Sequence, residues 1–181
     1  MEAKTQPALT NRQYLKIEAC SLSKDDIHNL LELLQERNND AKEYEIKFIQ
    51  DALKHSEILE EDKKELSEED RKKLEDGFKL KVTIIGTDNQ ELYGNVDEVF
   101  SSTNFPDQVL SVYVNSKIPL EVSENYFIRN SFELGLDFKK QPIFNLTILA
   151  SGPTPNNSRF VAGGNDASWV DGIFNAVNNF I

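Results

Sequence analysis

Apolar and polar positions recur along this chain with periods that assign most of it to strands and helices. The sharpest pattern lies at the C-terminal end. Trp169, Val170, Ile173, Phe174, Val177, Phe180 and Ile181 recur at offsets 0, 1, 4, 5, 8, 11 and 12, which is one face of an α-helix. Asp171, Asn175, Asn178 and Asn179 take the other face. Asp166 is placed as an N-cap, its carboxylate accepting from the amides of the first turn. Gly163-Gly164-Asn165-Asp166 reads as a turn in which glycine permits positive φ. The pattern predicts a helix over 167–181, docked on a sheet and anchored by Trp169, whose indole N–H needs a partner once buried.

Earlier in the chain, residues 1–11 are polar and are expected to be disordered. Tyr14 to Ala19 alternates as a half-buried strand. Ser23 then starts a helix with Asp26 at the capping-box offset and Leu22 and Ile27 as a hydrophobic staple. Ile27, Leu30, Leu31, Leu33 and Leu34 form its apolar face, and Asn38-Asn39-Asp40 is expected to end it. Residues 41–59 fit both periods, and their length favours helix. Residues 60–76 are dominated by charge, with Ser67 placed to cap a short helix that stops at Gly77. Acidic residues lead basic ones by three or four places there, the favourable order for helical ion pairs. The whole stretch 41–76 is therefore expected as a charged helical insertion outside the core.

From 78 onward the chain turns to strands. Phe78–Ile85 and Gln90–Gly94 are expected as a hairpin around Gly86-Thr87-Asp88-Asn89, and Asn95 or Asp97 starts a short helix. Strands follow at Val109–Val114, Tyr126–Phe138, Ile143–Leu149 and Phe160–Val161. Short connections make the pairing mainly antiparallel. The expectation is one α+β domain over 12–181, a mainly antiparallel sheet of six or seven strands with helices packed on one face.

Composition narrows what such a domain does. A net charge of −11 and a pI near 4.7 argue against direct nucleic-acid binding through phosphates. The single cysteine, Cys20, excludes an internal disulfide and fits a reducing compartment. No secretory leader is visible, and no apolar run approaches the ~20 residues needed to span a bilayer. A cytoplasmic location is the expectation. His28 and His55 lack the spaced partners of a zinc site, so no metal, cofactor or catalytic residue is expected. His28 reads as a surface residue and Cys20 as a buried structural one. No phosphate-binding glycine loop or dinucleotide fingerprint occurs.

Four residues stand out as contacts for a ligand or partner: Asn156, Arg159, Asp166 and Trp169. Arg159 and Arg129 are the only arginines in the strand-rich half, and Arg159 follows a Pro/Asn loop, where binding residues concentrate. A helix N-terminus at Asp166 offers amides to an anion, although the Asp166 carboxylate occupies them with its own charge.

The segments Asn130–Phe138 (containing Glu133-Leu134-Gly135-Leu136-Asp137-Phe138), Pro153-Thr154-Pro155-Asn156-Asn157-Ser158 and Gly164–Gly172 resemble, over residues 78–181, a domain found in uncharacterised bacterial proteins. Its pattern is ELxLDF, then PTPN, then GxDxxWVxG. The resemblance implies a soluble part of a larger protein, tethered to membrane through sequence beyond Ile181. It implies no reaction and no catalytic residues. The leading expectation is a non-enzymatic sensing or protein-interaction domain with an unknown protein partner. Two alternatives stand beside it: a small-ligand-binding domain with a pocket at 153–169, and an acidic inhibitor of a basic nucleic-acid-binding protein.

Overall fold

Period-two alternation gives the strands one apolar face, and that face decides where the helices go. The computed structural model describes residues 11–17, 20–54, 65–87, 90–116, 130–138 and 158–181. Its elements are β1 (Asn11–Lys16), α1 (Lys24–Lys54), α2 (Glu68–Gly77), β2 (Lys81–Gly86), β3 (Glu91–Asn95), α3 (Val96–Phe100), β4 (Val109–Asn115), β5 (Ser131–Asp137), β6 (Arg159–Gly164) and α4 (Ala167–Phe180). The strands form a single six-stranded sheet in the order β1-β6-β5-β4-β2-β3. Every neighbouring pair is antiparallel. This is the expected α+β architecture.

Register places like with like. Leu15, Phe160, Leu134, Val114 and Val82 lie side by side across five strands. All belong to one core with Ala162, Phe132, Leu136, Val112 and Ile84, which occupy the same face. Against it pack Ile27, Leu30, Leu31 and Leu34 of α1 and Trp169, Val170, Ile173 and Val177 of α4. The described helices therefore cover one face of the sheet. Two polar contacts fix α4: the Trp169 indole N–H donates to the Arg37 carbonyl of α1 at 2.9 Å, and the Gln13 side chain of β1 donates to Asp171. The indole partner required by burial is thus a helix carbonyl.

The local signals at helix starts are realised. Ser23 Oγ accepts from Asp26 N at 3.1 Å while Asp26 Oδ2 accepts from Ser23 N at 2.8 Å. Ser67 caps α2, accepting from Asp70 N. Asp166 caps α4 by accepting from the amides of Ser168 and Trp169. These bonds hold the Asp166 carboxyl below its ordinary value, the Ser168 hydroxyl contributing most.

Several expectations need correction. The first helix does not stop at Asn38-Asn39-Asp40 but runs on to Lys54. Asn38 is fully buried and its Nδ2 donates to the Phe78 carbonyl at 2.6 Å. Gln35 donates to the same carbonyl at 3.1 Å and accepts from Leu80 N at 2.8 Å. These bonds to the α2–β2 connection give asparagine a reason to sit inside a helix, against its local preference. The charged stretch is accordingly not wholly outside the core: Ala41 and Ile46 of α1 and Leu74 of α2 are buried in it.

Phe78 ends α2 and is buried, while the strand begins at Lys81. The first strand lies three residues earlier than expected and already includes Asn11. Gly163 and Gly164 are not a turn but the end of β6. A Cβ at Gly163 would make ordinary contact, 3.4 Å from the Asn11 carbonyl oxygen of β1. His28 is half-buried and stacks on Phe100 at 4.7 Å. The expected strand at Ile143–Leu149, residues 126–129 of the preceding one, the 139–142 turn and His55 lie outside the described residues.

Candidate functional site

The second face of the sheet carries the residues that point away from the core. Strand parity puts Arg12, Tyr14 and Lys16 of β1 there, with Arg159 and Val161 of β6, Glu133, Gly135 and Asp137 of β5, and Tyr113 and Asn115 of β4. Lys81 and Thr83 of β2 and Glu91 and Tyr93 of β3 lie on it too. Three tyrosines on this face remain exposed: Tyr14 at 58%, Tyr113 at 43% and Tyr93 at 66%. Tyr14 and Tyr93 stand on the two edge strands and Tyr113 on an inner one, so three exposed rings share this face.

Arg159 lies one strand in from the β1 edge of this face. Register sets Lys16, Arg159, Gly135, Tyr113, Thr83 and Tyr93 in one row across the sheet. Tyr113 and Tyr93 stand two strand spacings apart, roughly 10 Å. The Arg159 guanidinium donates to Glu133 Oε1 at 2.6 Å. That bond raises the arginine above its ordinary value, and the Tyr14 and Tyr113 side chains add to the effect. Asn115 Nδ2 donates to the Tyr113 hydroxyl at 3.2 Å. A Cβ added at Gly135 would meet nothing within 4 Å, so the sheet is open between Tyr113 and Arg159.

The charge here differs from that of the chain. The face holds Arg12, Lys16, Lys81 and Arg159 against Glu91, Glu133 and Asp137, whereas the chain has 20 basic and 31 acidic residues. Since the Arg159–Glu133 pair is half exposed, it adds little stability. It holds a planar, five-donor cation next to the strand of Tyr14 and two strands from Tyr113.

The four residues singled out in sequence do not converge. Asn156 lies outside the described residues. Arg159 begins β6 and Asp166 follows its end, seven residues on and roughly 23 Å away along an extended chain. Trp169 is on the core side of the sheet against α1, with 9% of its surface exposed. Asp166 and Trp169 thus serve the docking of α4, and Asn130 Oδ1 supports the same turn by accepting from Asp166 N at 3.2 Å. Arg129 is outside the described residues. Sequence reading missed the tyrosines. Their signal was present: Tyr113 sits between Val112 and Val114, in the outward phase of its strand.

Among the described residues, no group of three or more His, Cys, Asp or Glu is placed to hold a metal ion. No described helix is long and apolar enough to cross a membrane. Cys20 is half-buried, and burial pushes its thiol up, which keeps it protonated and weakly nucleophilic at neutral pH. In comparisons with known proteins, no family model, no curated protein and no solved structure matches the chain.

Proposed function

We propose that this chain is a non-enzymatic protein-interaction domain that docks a partner on its open sheet face. One observation carries the reading: Tyr14, Tyr93, Tyr113 and Arg159 are all exposed on the face opposite the helices. Tyrosine and arginine are the residues that dominate binding energy at protein interfaces, because each offers a large contact area and directed polar groups. An antiparallel sheet holds them at fixed spacings, so little ordering accompanies binding.

The chemistry of the partner follows from charge. On this face of an acidic chain basic side chains match the acidic ones, with Arg12, Lys16 and Arg159 toward the β1 edge. The face suits a segment that presents carboxylates to those cations and side chains that pack on phenol rings. The remaining acidic surface repels the same segment and so confines it to this face. In this reading the domain belongs to a larger bacterial protein, as the sequence resemblance implies.

The test is site-specific crosslinking. A photoreactive phenylalanine analogue replaces Tyr113, with the same replacement at Tyr44, exposed on α1, as control. The expected result is a crosslink to an acidic segment of another protein at 113 and not at 44, abolished by Arg159→Glu and weakened by added salt. Equal crosslinking at both positions would refute the docking face. A crosslink at 113 to a second copy of this chain would replace the partner by self-association.

A further inference from the structure

A cleft of about 970 Å³ opens away from the tyrosine face, at the end of the sheet where β2 and β5 finish and β4 begins. That volume is the size of a small-molecule site. Its lining is mixed, with the apolar side chains of Leu22, Ile27, Val109 and Phe138 beside polar ones. Its lining also carries the hydroxyls of Ser21, Thr87 and Thr103, whose side chains make no hydrogen bond among the described residues. The wall is a braced aromatic row: Phe105 lies 5.1 Å from Phe100, which stacks on His28 at 4.7 Å. Pro106 closes the wall against the end of β2, where a Cβ at Gly86 would come within 2.5 Å of the proline ring. These contacts shape the cleft in advance of any ligand.

Lys24 is the cation of this cleft. Its Nζ lies 4.0 Å from the centre of the Phe105 ring. No carboxylate among the described residues pairs with it. Ser23 and Asp26 already cap the first turn of α1, so an anion's partner here is the lysine ammonium. Asp107 is the one carboxylate among the described lining residues. A lining with one unpaired cation and one carboxylate suits a single negative charge better than a phosphate dianion.

We infer that the cleft binds a small amphipathic carboxylate, its apolar body on Leu22, Ile27, Val109 and Phe138 and its charged end at Lys24 Nζ. The hydroxyls of Ser21, Thr87 and Thr103 give the lining a polar part that tolerates hydroxylated or amide-bearing bodies. Site and ligand are independent of the docking face.

Decanoate, below its micelle-forming concentration, is the probe, and decanol is the uncharged comparator. Calorimetric titration of the full chain is expected to show saturable decanoate binding that exceeds decanol binding. Lys24→Met should weaken decanoate about tenfold or more, the scale of a lost hydrogen bond to a charged group, and Lys24→Arg should retain it. Because Cys20, the chain's sole cysteine, also lines the cleft, decanoate should slow its alkylation by N-ethylmaleimide. Absent binding overturns the inference. Equal decanoate affinity in wild type and Lys24→Met overturns it too, as does binding that leaves Cys20 alkylation unchanged. Lys24 is exposed, so each variant is expected to fold, and its thermal unfolding is recorded alongside.

Discussion

Trp169 ties the C-terminal helix to the long first helix, and its replacement measures that tie. In Trp169→Ala, a ring with 9% of its surface exposed leaves the core and a cavity takes its place between α4 and α1. The expected loss is roughly 3–5 kcal/mol, as for other large-to-small aromatic changes. Trp169→Phe separates the two contributions. Phenylalanine keeps most of the apolar surface and removes the N–H bonded to the Arg37 carbonyl. Arg37 lies inside α1, so its carbonyl keeps the intrahelical partner four residues on. No buried acceptor is orphaned, and the cost of the bond should fall near the lower end, about 1 kcal/mol, with a similar amount for the smaller ring. Urea unfolding followed by circular dichroism checks this, since both variants lack the tryptophan signal. The midpoint should fall strongly for alanine and mildly for phenylalanine at unchanged slope. Equal, small effects for both variants would refute the anchoring role of the ring.

Asp166→Ala should destabilise by about 1 kcal/mol at neutral pH, the usual worth of an N-cap. The Asp166 carboxyl is held below its ordinary value of 3.8 in the fold. Its contribution is therefore full above that value and fades as pH falls through the lowered one. Unfolding of wild type and variant should converge in acid, and a constant difference down to that range would contradict the capping account. Gly86→Ala sets a Cβ 2.5 Å from the Pro106 ring, so a loss of about 1–3 kcal/mol is expected together with a reshaped cleft. Thermal unfolding and decanoate titration read the two effects, and an unchanged variant would mean that the loop at 106 gives way freely. Asn38→Leu should cost little, less than about 1.5 kcal/mol, because the Phe78 carbonyl keeps Gln35 as donor and the Asn38 Oδ1 has no partner to lose. Asn38→Asp should cost about 3 kcal/mol or more by burying a charge. Chemical denaturation that ranks the two the other way would overturn the latch at Phe78.

What could be read from sequence follows the range of the forces involved. The capping residues Ser23, Ser67 and Asp166 were legible because a cap is satisfied within three residues of itself. The apolar face of α4 was legible because its period is fixed by the helix and the core lies on one side. Asn38 was misread as a helix end because its reason for being helical is the Phe78 carbonyl, forty residues away. Gly163 was misread as a turn for the same kind of reason: its strand partners, Arg12 and Ser131, are distant in the chain. The functional residues fared likewise. Arg159 was visible as a lone arginine among strands, but grouping it with Asn156, Asp166 and Trp169 followed adjacency in the chain. In a sheet, adjacency runs across strands. The residues that share its surface are Lys16, Gly135 and Tyr113, contributed by β1, β5 and β4. Only the register brings them together, and register depends on every pairing in the sheet at once. A strand residue in the outward phase carries no local sign of its neighbours. Sites built on a sheet face are for that reason the least legible kind in a single sequence, and a tyrosine between two inward apolar residues is the cue that most repays attention.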